Sequence, residues 1–300
     1  MMQRVVITGA GGLIGSRLSE MLPDEGYDVV HLTRSRKKGD KYKSFMWDPE
    51  AGVCDADAFN AGDIIIHLAG ANIGEKRWSP GRKREILDSR IKTAGLLFSS
   101  TVSKGIIPSA FISASATGIY GSVISQTIFS ELDNPADDFL GETCRLWEAA
   151  ADPFEAAGVR TVKVRTSVVL APMGSALSKL RAPAAAGLII RFAPGSQFFP
   201  WIHIDDLCMV YMKAVTDAGM AGAYNAASPE HITHDMLMKE IAKQKRLPVF
   251  LPRIPEWLSR LILGEMSVVI TTGSRVSCDR LIVSGFEFRY PDIRSALKAC

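Results

Sequence analysis

Near its start the chain carries a five-residue run, Arg4–Thr8 (RVVIT), in which apolar β-branched residues follow one another without polar alternates. A strand covered on both faces reads this way, whereas a half-solvated strand alternates. Glycines end the run, and Leu13, Leu18, Met21 and Leu22 then recur at helical spacing. The same succession repeats further along. Residues 27–33 (YDVVHLT) and 63–69 (DIIIHLA) predict strands. Residues 83–103 predict a long helix with Ile86, Ile91, Ala94 and Leu97 inward. A strand over 110–115 (AFISAS), a helix over 139–157 and a strand over 161–170 (TVKVRTSVVL) follow. Strands separated by helices predict an α/β chain with a doubly wound parallel sheet. Past Leu170 the texture becomes richer in proline and glycine. This predicts a first domain over 1–170, rejoined by segments near 198–227, and a smaller lobe built mainly from 171–300.

Between the first strand and the first helix lies Thr8-Gly9-Ala10-Gly11-Gly12-Leu13-Ile14-Gly15. A strand-to-helix turn of this kind is the diphosphate-binding turn of Rossmann sheets. One glycine permits the tight turn, another the approach of a diphosphate, and the last the close packing of helix on sheet. The unpaired amides and positive dipole end of the following helix favour the phosphates. Gly9, Gly12, Leu13, Ile14 and Gly15 are therefore candidate cofactor contacts; the competing reading is an ordinary glycine-rich turn. At the end of the second strand, Thr33-Arg34-Ser35-Arg36-Lys37-Lys38 offers cations and no acid. An acid there would bind a ribose 2′-hydroxyl, whereas an arginine accommodates a 2′-phosphate. Thr33 and Arg34 thus point to NADP(H), against the alternative of a solvated basic loop. Leu68, Ala69 and Gly70 end the third strand with side chains small enough for a nucleotide to lie on the backbone. His67, just before them, reads as a packed core histidine.

Charge and composition narrow the field. With 35 basic and 32 acidic residues and a formal net charge of +3, no clustered basic face for nucleic acid is expected. Five scattered cysteines without a CxxC pair fit reduced thiols. No run approaches the roughly 18 apolar residues of a membrane span, and glycines interrupt the first apolar stretch. A cytoplasmic protein with a small-molecule substrate is expected; oligomeric state is not readable. His231 and His234 have no partner ligands nearby, so no metal site is expected.

TGAGGLIG, IIIHLAGANI, FISASATGIYG, RTSVVLAP and FFPWIHIDDL together resemble the extended short-chain dehydrogenase/reductase superfamily. WDP at 47–49, KRW at 76–78, SRIKT at 89–93, LGEM and GFEFRYP resemble more narrowly its atypical branch of NAD-dependent epimerase/dehydratase proteins, loosely called cell-division-inhibitor-like. The resemblance spans nearly the whole chain and implies NADP(H) as cofactor. It also implies that Ser115 is the catalytic serine, although Ala116 takes that slot if no gap is allowed. Arg90, and Glu85 with it, would reach cofactor phosphate or ribose; two surface charges is an equal reading for Glu85. One departure stands out. Where the superfamily carries Tyr-x-x-x-Lys, this chain has Leu140 and Cys144, so the usual phenol acid-base group is absent. Tyr120 is the nearest phenol, with packing as its other reading. Asp205 or Asp206 is expected to cap the helix after WIHIDD, and His203 to be structural. Two functions follow: an NADP(H)-dependent oxidoreductase or epimerase lacking the usual pair, or a non-catalytic NADP(H)-sensing or scaffold protein.

Overall fold

The structure is a computed structural model and describes residues 2–35, 39–248 and 253–300. In chain order its strands are β1 (Arg4–Thr8), β2 (Asp28–Thr33), β3 (Lys43–Asp48), β4 (Val53–Cys54), β5 (Ile64–His67), β6 (Ala110–Ala116), β7 (Ile124–Phe129), β8 (Arg160–Thr166), β9 (Val168–Leu170), β10 (Trp201–His203), β11 (Gly222–Ala226) and β12 (Gly273–Val276). The helices are α1 (Leu13–Met21), α2 (Pro80–Ser100), α3 (Phe139–Ala149), α4 (Asp152–Ala156), α5 (Ala176–Arg181), α6 (Ile204–Thr216), α7 (His234–Lys245), α8 (Glu256–Leu263), α9 (Val268–Thr271), α10 (Asp279–Val283) and α11 (Ile293–Ala299).

Eight strands form the main sheet in the order β11-β8-β6-β5-β1-β2-β3-β4, parallel throughout except for the β3–β4 pair. The connection from β1 runs outward to β2, and the chain then returns to lay β5 on β1's other side. This reversal puts a crevice at the carboxyl ends of β1 and β5, where open α/β sheets hold ligands. The apolar runs are buried because both faces are covered. Val5, Ile7, Ile64 and Ile66 join α1 and α6 on one side, while Val6, Ile65, Phe111 and Leu97 pack on the other. A further apolar cluster, including Leu177, Trp201, Leu237 and Ile241, draws on residues from Leu170 onward. Meanwhile α6 packs on α1, and β11 pairs with β8 as an edge strand of the main sheet. There Arg280 lies over the Tyr224 ring, 4.3 Å from its centroid, and donates to the carbonyls of Ala223 (2.7 Å) and Ala221 (3.0 Å).

Two elements differ from the sequence expectation. The helix expected over 139–157 is broken between α3 and α4, where Pro153 occupies the first turn of a new helix; proline cannot continue an interior hydrogen-bond ladder. The strand expected over 161–170 breaks at Ser167, whose amide bonds to Ala226 O, and β9 leaves the main sheet to pair with β10. Among the described residues no helix is long and apolar enough to cross a membrane.

Candidate active site

The glycine turn joins β1 to α1 beside the end of β5. Gly9 has φ +68°, and a Cβ there would meet the backbone of Leu68 and Ala69 at 2.9–3.0 Å. Gly15 is tighter still, with a Cβ 2.6 Å from Gly9 O and 2.7 Å from Ala10 Cα. Two separate constraints thus make glycine obligatory: a left-handed backbone against the next strand, and close packing of the helix. Gly11 differs. A Cβ there would enter open space, and Gly11 and Gly12 are both exposed. Gly12 is the N-cap of α1, and no side chain caps that end, which leaves first-turn amides available to an anion. The loop after β9 also reaches this point: a Cβ on Gly174 would stand 4.0 Å from Leu13 Cδ1.

Thr8 fixes the floor. Its hydroxyl accepts the amides of Leu68 and Ala69, each at 3.1 Å, and lies 2.8 Å from His67 Nδ1. Thr93 Oγ1, on α2, is 3.0 Å from the other ring nitrogen. His67 is fully buried, and burial pushes its pKa down to about 4; it is a neutral bridge between β1, β5 and α2. Because this folded value lies below the ordinary 6.5, the unfolded chain binds the extra proton between those pH values. The stability His67 contributes is intact above pH 6.5 and is lost as pH falls toward 4, by about 3 kcal/mol in all. The His67 imidazole should therefore show no NMR titration between pH 8 and 5; a midpoint near 6.5 would contradict this.

Thr33 ends β2, and its hydroxyl turns back to Ser35 O at 2.9 Å. Arg34 is exposed, and no ion pair to it occurs among the described residues. The rest of the basic tip, Arg36, Lys37 and Lys38, lies outside the described residues.

Arg90 is the unusual cation. It is buried on α2 beside Gly70, with Nη1 donating to Ile86 O (2.8 Å) and Ala71 O (3.2 Å) and its Cζ 4.6 Å from the Trp147 ring centroid. No carboxylate pairs with it among the described residues, its Nε has no partner, and burial lowers its pKa to about 10. A buried guanidinium calls for an anion. Glu85, by contrast, is exposed and pairs with Arg82 at 2.8 Å. Arg82 in turn donates to Asn72 O, so Glu85 steadies the loop after Gly70.

The two catalytic candidates, Ser115 and Tyr120, are both buried and hydrogen-bonded to other side chains. Ser115 is buried and donates to Glu148 Oε1 at 2.7 Å. Glu148 holds Arg165 through two bonds, of 2.8 and 3.0 Å. Arg165 donates to the Tyr120 hydroxyl (3.0 Å), which donates to Asn225 Oδ1 (2.6 Å). Burial raises the Tyr120 phenol to about 12. Both hydroxyls belong to a closed polar network linking β6, α3, β8 and β11. Cys144 is likewise buried, and its thiol is pushed up to about 12, so it is a neutral packing group. The aspartates after β10 also differ from expectation. The helix starts at Ile204, so His203 is the N-cap and accepts Asp205 N at 3.2 Å. Asp205 instead pairs with Arg17, and Asp206 accepts the amides of Arg289 and Tyr290.

Leu140, at the missing tyrosine's place, stands against Gly118 and lines a cavity of about 330 Å³. Trp78, Phe139 and Val268 supply its other apolar walls. Lys83, Arg260, Glu256, Glu265 and Asp138 bring charge to its lining. Neither this cavity nor its shared construction from α2, α3 and α8 was read in the sequence. Trp78 had appeared only as part of a family pattern.

Comparison with known proteins places this arrangement. The NAD dependent epimerase/dehydratase family matches residues 5–227, and a domain family of unknown function, DUF1731, matches residues 254–300. Epimerase family protein YfhF of Bacillus subtilis (strain 168) is 33% identical over 297 residues, covering 98% of this chain and 96% of the relative. The crystal structure of human epimerase family protein SDR39U1 (isoform 2) with NADPH superposes with a TM-score of 0.87 at 27% identity, covering 99% of this chain and 98% of that one. A nucleoside-diphosphate sugar epimerase from Corynebacterium glutamicum gives a TM-score of 0.80 at 30% identity, covering 100% of this chain and 58% of that one. With glycine turn, sheet order and sequence in agreement, the chain belongs to the NAD dependent epimerase/dehydratase family.

Proposed function

We propose that this chain binds NADP(H) and acts as an oxidoreductase or epimerase on a small molecule held in the cavity at Leu140. The observation that carries this reading is the buried, carboxylate-free Arg90 beside Gly70, at the same sheet end as an uncapped helix behind exposed Gly11 and Gly12. Amides of Leu13, Ile14 and Gly15 suit a diphosphate; exposed Gly12, whose own amide donates to Gly9 O at 2.9 Å, gives it room, and Gly9 keeps the turn against β5. Leu68, Ala69 and Gly70 form the backbone surface beside it, with Arg90 as the anion partner. Thr33 and exposed Arg34 suit a 2′-phosphate. When bound, the nicotinamide supplies or accepts hydride. The NADPH in the human relative's structure supports the choice of dinucleotide.

Ser115 and Tyr120 are assigned to holding the β6 and β8 ends in place, not to proton transfer. A non-catalytic NADP(H)-sensing role is the second reading, favoured by Leu140 and Cys144 at the dyad positions. It requires that NADPH change the chain's sizing profile or its partner binding.

Calorimetry tests the cofactor assignment. Arg34→Ala should weaken NADPH by about 10- to 100-fold, the effect of losing a charge-assisted hydrogen bond of ~1.5–3 kcal/mol, and leave NADH unchanged. No heat with either dinucleotide in the unaltered chain would end the proposal. Equal affinities for both would remove the role of Arg34.

A further inference from the structure

We infer that the cavity at Leu140 takes a small uncharged carbonyl compound with a flat apolar body, and that it excludes nucleoside-diphosphate sugars. The inference deepens the reading above and rests on it for the reaction, though not for the shape of the cavity.

Size is the first argument. About 330 Å³ lies at the lower end of the roughly 300–1,000 Å³ typical of small-molecule sites. The walls are the second. Trp78 and Phe139 meet edge to face, ring centroids 4.9 Å apart at 64°, and with Leu140 and Val268 they offer a surface for a planar apolar group.

Charge is the third argument and decides against a diphosphate. Two phosphates need guanidinium forks or free helix amides. The N-terminus of α3 lies in the lining, but Asp138 already occupies it, accepting Gly141 N at 2.8 Å and Ser122 N at 2.5 Å. Lys83 contacts the Glu265 carboxylate and sits over the Phe139 ring, 4.9 Å from its centroid. Arg260 is then the one lining cation without an ion pair among the described residues, and Glu256 shares its helix and the lining. Three carboxylates against two cations repel a dianion, whereas a neutral carbonyl meets apolar walls and a few polar groups.

The test uses the full chain, with and without NADPH, and two probes: 2-naphthaldehyde and UDP-glucose. Ligand-observed saturation-transfer NMR should detect 2-naphthaldehyde and give no signal for millimolar UDP-glucose. Leu140→Trp, which fills the cavity, should weaken 2-naphthaldehyde by roughly tenfold or more at an unchanged melting temperature. If that variant melts early, Val268→Phe provides the same comparison from the opposite wall. The inference is overturned if UDP-glucose binds and displaces the aldehyde, if the aldehyde does not bind the unaltered chain, or if both filled variants bind it unchanged. Aldehyde binding by a chain that gives no heat with NADPH would leave the cavity assignment standing and end the cofactor reading alone.

Discussion

Gly15→Val is expected to abolish measurable NADPH binding, with affinity falling by at least about 100-fold. The cause is steric. Even the first carbon of the new side chain would stand 2.6 Å from Gly9 O and 2.7 Å from Ala10 Cα, both backbone atoms that no rotamer change can move aside. The helix must lift from the turn, and its first amides then lose their common aim; two charge-assisted hydrogen bonds at ~1.5–3 kcal/mol each account for the loss. Overpacking should also cost about 1–3 kcal/mol of stability. Gly11→Ala is the matched control, because its Cβ enters open space, and it should fold normally. Calorimetry and thermal melting of both variants check the argument. A Gly15→Val chain that binds NADPH within a few-fold of the original would refute the role given to the turn.

Glu148→Ala should produce the largest loss of stability, about 3–5 kcal/mol. Glu148 is buried between Ser115 and Arg165, accepting the serine hydroxyl at 2.7 Å and two guanidinium bonds. Burial disfavours the Arg165 charge, but the carboxylate more than offsets it, so the guanidinium pKa is raised. Removing the carboxylate leaves a buried cation and an unpaired hydroxyl. The double variant Glu148→Leu with Arg165→Met should recover much of the loss, since an apolar pair avoids both desolvation costs. Urea denaturation of the single and double variants reads this directly. A single-variant loss below about 1 kcal/mol would show that the network is not the brace described here.

The glycine turn was legible in the sequence because its constraints are local. Gly9 and Gly15 are needed by backbone atoms a few residues away or on the adjoining strand end, and the strand-turn-helix context supplies the rest. The surroundings of Ser115 and Tyr120 were not, because their partners are distant. Ser115 donates its hydrogen bond to Glu148, 33 positions later. Arg165, in a segment read only as strand, closes the network with Tyr120 across 45 positions. The cavity is built from α2, α3 and α8 together, a juxtaposition that no local pattern encodes. Periodicity also carried the helix through Pro153, where backbone chemistry ends it. The β3 strand escaped notice because only Phe45 and Trp47 turn inward among its six residues.

Both borders of the main sheet offer a poor template for strand addition. On one side, β4 contributes just two residues in reversed orientation, Cys54 opposite Trp47 and Val53 opposite Asp48, too short a template for a neighbour. On the other, the Arg280 guanidinium already satisfies two carbonyls that an incoming chain would need. A sheet this rich in Val and Ile would otherwise be prone to edge-to-edge polymerisation. Self-association through the sheet borders is therefore disfavoured relative to helix and loop faces, and fibre growth along the hydrogen-bonding direction is hindered at its first step.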